Sequence, residues 1–569
     1  MSDEQGADGP IQYALELQDT SASSGYFACE PVHDRFFSAW IDYLREHPYD
    51  GFLHKHLLNV LKVLPEAKVK SWIEEAVPDD PVFGALLYEA CLMHEKFTGL
   101  QSLFSPEDLR AMADSTPLVY IRSLLQPDHE IHLRWMQLFE PNIGFHRPPP
   151  PPDEAGIEPP FPPDAPPSPA DAVHIRDLAS TGEGRETSEP PPPPETVAHT
   201  ALDRLSAIGV LMEDAKRHTA SLSPLALIRQ WRLSFAVRSG RHDFTVSGVQ
   251  NSYGRGLRLE HAQAACAMEV AERVSAFASV GEGGILNRTR PYPLIRARYG
   301  ELSGNGVTAL DPNRLPLEAP YDNEPLHWIE GETAGDVPMQ VPVQCVFLFS
   351  NLDEIDLFSG LGSTGLASGL TLAGAKVSGL QECIERDAEG TTPFDPKRCF
   401  RIASDDPDVA ALLKEYRSYG IHVQFQDITP DHGVPCYKCF VIKPDGEIAK
   451  GVGAGLDGKR ALISALTETP FPFPGGPPSA APDRDLPARR LEDLPDYSTG
   501  SAEGDLALLE SLLTANGFPP VYVDITRADL EIPAVRAIVP GLALTADFDR
   551  FSRVHPRLFA NYLAMFSSK

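Results

Sequence analysis

Three stretches of this chain repeat one pattern in register. Gly256-Leu257, Gly369-Leu370 and Gly455-Leu456 are each followed, six positions after the glycine, by an alanine: Ala262, Ala375 and Ala461. Small residues stand nine and ten positions on (Ala265-Cys266, Ser378-Gly379, Ser464-Ala465), and a glutamate stands at thirteen (Glu269, Glu382, Glu468). The first two copies continue as Glu269-Val-Ala-Glu272-Arg273 and Glu382-Cys-Ile-Glu385-Arg386. One copy alone describes any tightly packed helix with a solvated end. Three in register, two of them ending Glu-x-x-Glu-Arg, describe a recurring unit with a shared chemical purpose.

Glycine ahead of a helix lets the backbone approach an anion, and the helix N-terminus presents free N–H groups with a positive dipole end, which suits phosphate. Small residues at helical spacing allow close packing. Glutamates at i and i+3 share a helix face, so Glu269 with Glu272, and Glu382 with Glu385, each present two carboxylates to one place. Hard oxygen ligands of this kind suit Mg2+, which keeps several waters and bridges to phosphates. Thirteen helical residues span roughly 20 Å, so each glutamate is expected far from its own glycine. The site must then be assembled between copies, with the carboxylate ends of at least two helices converging on one nucleotide.

The chain has 569 residues, enough for several domains. Residues 1–33 read as an acidic N-terminal tail. Over 34–146 apolar residues recur at helical spacing (Phe36, Trp40, Tyr43, Leu44; Leu57, Leu58, Leu61), and Ser105-Pro106-Glu107-Asp108 is a helix start, so a small all-α domain is expected. No fixed period marks a helical repeat. Residues 147–195 carry three proline-rich patches and almost no large apolar side chains, the composition of a stiff, solvated linker. From 196 to 569 helical and strand-like segments alternate without a parallel βαβ fingerprint, which favours an α+β domain. Val423 to Thr429 and Val521 to Thr526 both end in Asp-Ile-Thr before a turn and a second apolar run, implying internal duplication. Pro470 to Asp496 reads as an exposed insertion.

A net charge of −31 disfavours nucleic acid and anionic membranes as partners, and no apolar run approaches the length of a membrane span. Eight scattered cysteines and an acidic start without a signal peptide point to reduced thiols in the cytoplasm. Cys436 and Cys439 fall on a strand, where i and i+3 face opposite ways, so they are expected to be structural. His54, His56, Cys29 and Cys91 lack companion clusters. Arg536, Arg550, Arg553 and Arg557 either serve an anion or are solvated.

Taken together, these residues resemble the YcaO family of ATP-using, amide-backbone-modifying enzymes. Ser252-Tyr-Gly-Arg-Gly256 with Glu269, Glu272 and Arg273 is similar to the family's first motif; Ser363 through Ser368-Gly369 with Glu382, Glu385, Arg386 and Asp387 is similar to its most characteristic one. Leu310-Asp-Pro-Asn313, Trp328 and Val341-Pro342 resemble its linking segment, Ala461 through Glu468 its third helix, and Val535-Arg536 through Gly541 its C-terminal strand. The resemblance implies an internally duplicated, YcaO-type α+β catalytic domain and ATP- and Mg2+-dependent phosphorylation of a peptide amide oxygen. It implies Glu269, Glu272, Glu382 and Glu385 at Mg2+, and Ser252, Arg255, Gly256, Ser368, Arg386 and Glu468 around ATP. No protein group is singled out as a nucleophile.

Departures refine the reading. Arg255 replaces the usual Lys, Ser464 replaces an Arg, and Thr469-Pro-Phe-Pro-Phe-Pro follows Glu468. The chain ends Ala564-Met-Phe-Ser-Ser-Lys569 rather than in the Pro-rich terminus of azoline-forming members, which favours thioamide formation or assistance in ribosomal-protein methylthiolation. The alternatives are a divergent scaffold that binds a peptide or partner without turnover, and an azoline-forming cyclodehydratase. Expected partners are a peptide or protein substrate and a sulfur-delivery or TfuA-like protein, with a homodimer compatible with the family.

Overall fold

A computed structural model describes residues 10–18, 26–77, 79–162, 172–179, 192–482, 485–544 and 548–567. Three sheets form its frame, and the expected α+β class is what they show. In the seven-stranded sheet Leu227–Ser239 and His242–Gly254 form a long antiparallel pair, turning at Gly240. The six-stranded sheet runs Pro338–Pro342, Leu326–Thr333, Val521–Asp524, Ala534–Ile538, Leu366–Ser368, with Ile295–Ala297 also on Leu326–Thr333. The five-stranded sheet runs Ile448–Ala454, Cys436–Ile442, Gln424–Asp427, Cys399–Ala403, Ala488–Arg490.

The Asp-Ile-Thr echo has a local cause. In both copies the aspartate Oδ1 accepts from the threonine N–H two residues on (Asp427 to Thr429, 3.1 Å; Asp524 to Thr526, 2.9 Å). The threonine Oγ1 then accepts from the next strand's N–H (Cys436, 3.2 Å; Ala534, 3.1 Å). An Asx-type turn followed by a hydroxyl clasp sets the register of each antiparallel pair.

Several sequence boundaries shift. The acidic tail contains two strands: Ile11–Gln18 pairs in parallel with His242–Gly254, and Tyr26–Pro31 pairs antiparallel with Ile11–Gln18. Ile11, Tyr13 and Leu15 alternate into the core, a period-2 pattern too short to outweigh the acidic residues around it. Residues 1–9 lie outside the described residues. The helices expected over 34–146 are present, and Ser105 caps Pro106–Met112 through a capping box. They form no separate core: Leu53, Leu87, Val246, Val270, Trp328 and Val523 belong to one apolar cluster. Asp50, 1% exposed, joins the parts. Its carboxylate accepts from Tyr13 Oη (2.7 Å), Asn351 Nδ2 (2.9 Å) and the Phe52 and Leu53 N–H groups (3.1 Å each).

The linker is also less solvated than its composition suggests. Tyr562 Oη donates to the Pro150 carbonyl (2.7 Å), Trp135 Nε1 to that of Glu158 (2.7 Å), and Ile175 is fully buried. A few apolar anchors suffice to dock a stretch of prolines whose backbone is already stiff; residues 163–171 and 180–191 lie outside the described residues. The expected insertion is likewise anchored by Phe471, Phe473, Leu486, Leu491 and Leu494, all buried.

The C-terminal helix Pro556–Phe566 packs Phe559 and Tyr562 on Trp135 and Phe139 of helix His129–Phe145. Arg550 donates to the Leu92 carbonyl (2.7 Å), Arg553 pairs with Asp128 (2.6 Å), and Arg557 forks onto buried Asp387. Arg553 and Arg557 are therefore taken up by carboxylates of the chain itself, and Arg550, although exposed, by a backbone carbonyl.

Two outcomes follow from these contacts. Asp50→Ala leaves buried donors unpaired and should cost about 3 kcal/mol or more in urea unfolding. The C-terminal helix should also undock in acid. Burial, then Arg553, pushes His132 down to about 4, while the Arg553 hydrogen bond holds Asp128 down at about 2. Both folded values lie below the unfolded ones. The His132 contribution is complete above pH 6.5 and is lost towards pH 4, at about 1.4 kcal/mol per pH unit; the Asp128 contribution is lost from about pH 4 towards 2. The urea midpoint, read by tryptophan fluorescence, should fall from pH 6.5 to 4 more steeply for wild type than for His132→Gln.

Candidate active site

Each repeated unit is a strand that turns back into a helix packed on it, and each of the three sheets supplies one. The pairs are His242–Gly254 with Leu259–Ala276, Leu366–Ser368 with Leu372–Thr391, and Ile448–Ala454 with Gly458–Glu468. The small residues of the motif are the contact surface, since Ala262, Cys266, Ala375, Ala461 and Ala465 are all buried. A Cβ on Gly254 would stand 2.0 Å from the Ala262 carbonyl oxygen, and one on Gly453 would stand 2.1 Å from that of Ala461. Both glycines lie two residues before the motif glycine, on the strand.

This back-folding corrects one expectation. The distance of about 20 Å is counted along the helix, but the strand before the turn runs back beside it. Glu269 Oε2 accepts from the Tyr253 N–H (3.1 Å), and Glu382 Oε2 from the Gly365 N–H (3.1 Å). Each glutamate is thus fastened to its own unit's strand while its charge faces the other units. Convergence between copies holds. Glu272 feels Glu382 and Glu269, Glu385 feels Glu468 and Glu382, and Glu269 feels Glu468.

Burial raises all four glutamates of the two Glu-x-x-Glu pairs. It takes Glu272 up to about 8, with Glu382 adding to the rise, and it takes Glu385 well above the carboxylate range, with Glu468 next. Like charges crowded in a partly dehydrated place hold protons unless a cation replaces them. Among the described residues no three His, Cys, Asp or Glu side chains form a ready metal cage. Mg2+ can be held without such a cage, since it takes one or two carboxylates and completes its shell with water and phosphate oxygens. The donor set is therefore a fit for Mg2+ and an accompanying polyphosphate.

The arginines are distributed unequally. Arg273 NH1 lies on its own neighbour Glu272 (2.8 Å). Arg386 is instead drawn to Glu389 (3.2 Å), which also holds Lys450 (3.2 Å), and stays 3.7 Å from Glu385. Arg255 pairs with Glu468 across units one and three (3.2 Å). Arg536, 1% exposed, donates to the Gly362 carbonyl (3.0 Å) and lies within electrostatic reach of Glu382.

Of the remaining expected residues, Ser252 faces away from this group. It is fully buried, and its Oγ accepts from Trp231 Nε1 (3.1 Å). Ser368 Oγ donates to the Met268 carbonyl (2.8 Å), a strut between units two and one. The Gly256 carbonyl is held by Ser223 Oγ (2.9 Å). Cys436 and Cys439 lie buried on their strand, and the other six cysteines are buried as well. Sequence reasoning missed Glu389 and Lys450; the only available signal was a carboxylate three residues beyond Arg386 on the same helix. Thr469 is fully buried, its Oγ1 donating to the Ala465 carbonyl (2.9 Å).

A helix-on-strand role for the flanking glycines gives a sharp contrast. Gly453→Ala should destabilise the protein by about 3 kcal/mol or more in thermal or urea unfolding. Gly455→Ala, whose nearest neighbour would be 3.9 Å away, should stay within about 1 kcal/mol.

Three glycine-tightened strand–helix units delivering glutamates and arginines to one place define a centre for a divalent cation with a polyphosphate. The chain belongs to the YcaO family. The family model described as YcaO cyclodehydratase, ATP- and Mg2+-binding, matches residues 253–470 and 474–543, just over half of the chain. The family's members are generally ATP-dependent enzymes, and ATP and Mg2+ are its cofactors. An uncharacterized protein of Methanothermobacter thermautotrophicus is 29% identical over 391 residues, 62% of this chain and 94% of its own. An uncharacterized protein in the tfuA 3′ region of Rhizobium leguminosarum bv. trifolii is 25% identical over 255 residues, 42% of this chain and 56% of its own. Among solved structures, a heterocyclase in complex with substrate and cofactor superposes with a TM-score of 0.49 at 21% identity, over 63% of this chain and 53% of the other. The YcaO protein of Methanopyrus kandleri bound with AMPPCP and Mg2+ gives 0.43 at 20%, over 61% of this chain and 91% of the other. This chain thus spans about half the length of the heterocyclase. No helix among the described residues is long and apolar enough to cross a membrane.

Proposed function

We propose that this chain uses Mg2+-ATP to phosphorylate a peptide-bond amide oxygen, yielding a thioamide or a related backbone modification, or assisting methylthiolation of a ribosomal protein. The observation that carries the reading is the meeting of glutamates from three strand–helix units at one place, where burial and mutual repulsion raise the carboxyls of Glu269, Glu272, Glu382 and Glu385. When bound, Mg2+ would neutralise the triphosphate at Glu269, Glu272, Glu382 and Glu385. Arg386, 3.7 Å from Glu385, and Arg255 would supply positive charge for the phosphates, and Glu468 keeps Arg255 in place. Catalysis rests on positioning and charge stabilisation. A nucleophile adds to the amide carbonyl, the resulting oxyanion accepts the γ-phosphoryl group, ADP leaves, and phosphate departs as the C=S or azoline bond forms. The relative from a tfuA region supports sulfide as nucleophile and a TfuA-like protein as its source. Eight buried cysteines scattered along the chain support work among reduced thiols, in the cytoplasm.

A non-catalytic scaffold is the second reading, favoured by the Arg255–Glu468 pair, which occupies the third unit's carboxylate. Calorimetry tests the shared nucleotide site, and phosphate release separates the two. Wild type should bind Mg2+-ATP, and Glu382→Gln and Glu269→Gln should each weaken binding by roughly 100-fold, the weight of a lost charged contact. Phosphate release with a candidate peptide and sulfide supports the enzyme; Mg2+-ATP binding without release under any peptide supports the scaffold.

A further inference from the structure

One cavity lies against the C-terminal end of the helix that carries Glu382 and Glu385, with Gly390 of that helix and Ala543 and Leu544 in its wall. It has a volume of about 70 Å3, several times what one water requires. Met136, Phe358, Leu361 and Leu558 give it apolar walls. Its polar groups are spoken for, with one exception. Arg553 is paired with Asp128 and donates to His132 Nε2 (3.0 Å). His555 Nε2 bonds the Gly541 carbonyl (3.2 Å) while its Nδ1 accepts from the Arg557 N–H (3.2 Å), and Ser552 Oγ donates to Asp549 (2.8 Å). Glu318 is the exception. Its Oε1 accepts from Ser359 N–H (3.1 Å) and Oγ (2.6 Å), but its Oε2 is buried with no partner.

A buried carboxylate oxygen left open at the end of an apolar chamber costs free energy until a donor meets it. The complement is an aliphatic stem ending in a cation. With Oε1 already engaged by Ser359, the site offers one oxygen, which matches the point charge of an ammonium better than the two-pronged guanidinium. The chamber also points towards the chemistry. Phe358, Leu361 and Leu544 line a second, smaller void that reaches Arg536, the buried arginine beside Glu382.

We infer that this cavity is a specificity pocket for a lysine side chain of the peptide substrate, with Glu318 as its anchor. The inference rests on the proposal that the substrate is a peptide, but the pocket can be tested without ATP. Burial, followed more weakly by Asp549, raises Glu318 above the usual carboxylate range, and both effects are relieved by a bound cation.

The probes are N-acetyl-lysine methylamide and its uncharged isostere, N-acetyl-norleucine methylamide, titrated into the full chain and followed by ligand-observed NMR. The lysine probe should bind at least about tenfold more tightly than the norleucine probe, and Glu318→Gln should abolish that preference with Mg2+-ATP affinity unchanged. Ser359→Ala removes the shorter of the two hydrogen bonds on Oε1 and leaves the backbone N–H, so it should improve binding of N-acetyl-arginine methylamide relative to wild type. Equal binding of the lysine and norleucine probes, binding of neither, or a lysine preference that survives in Glu318→Gln overturns the pocket. A lysine preference in a protein that fails to bind Mg2+-ATP leaves the pocket standing and overturns the activity instead.

Discussion

The close approach of a helix to the strand that precedes it is the contact on which the rest of this molecule depends. At Gly254 and Gly453 the helix backbone lies nearer than any side chain would allow, so each helix returns along its strand instead of leaving the sheet. The return brings glutamate carboxylates against strand N–H groups in units one and two. It also aims the next turn of each helix at the other units. Gly365, with φ +81° and a would-be Cβ 2.1 Å from the Ala537 carbonyl oxygen, extends the same tightness to the junction between unit two and the C-terminal strand. Three sheets that share no ladder are thereby made to present their charges at one point.

Gathering like charges costs stability, and the molecule meets that cost unequally. Unit one places Arg273 directly on Glu272. Unit two places Glu389 one turn beyond Glu385, and Lys450 on Glu389, so that Arg386 is drawn off the carboxylates it follows in sequence. The position equivalent to Glu389 in unit one is Ala276, which has no charge to compete for Arg273. Glu382 and Glu385 are consequently the pair least compensated by their own helix. A metal-binding centre needs such a deficit, because carboxylates already neutralised by arginine have less to gain from a cation.

The segments outside the repeated units stabilise this frame from two ends. At the N-terminus, Asp50 ties a strand, a helix and the loop at Asn351 into one buried network. At the C-terminus, Arg553 and Arg557 fasten the last helix to Asp128 and to Asp387, the latter two residues beyond Glu385. The arginines that close the chain thus support the helix that carries the second glutamate pair, and the same closure forms one wall of the Glu318 cavity.

Much of this was legible in the residues because it is local or repeated. The spacing of glycine, alanine and glutamate, the i, i+3 carboxylate pairs, the Asp-Ile-Thr turns and the Ser105 cap depend on neighbours within a few positions, and a linear reading suffices for them. The first strand inside the acidic tail was hidden because its partner His242–Gly254 lies more than two hundred residues away, and the second because it pairs on the first. The surroundings of Ser252 were hidden for a related reason: a hydroxyl on a strand faces one side or the other according to register, and the register here sets it against Trp231. Glu389, Lys450, Arg536 and the open oxygen of Glu318 acquire meaning only across sheets. The sequence by itself determined the three units and the kind of charge each carries. The tertiary structure alone decided which charges meet and which are cancelled, because electrostatic pairing depends on distances in space that chain separation does not record.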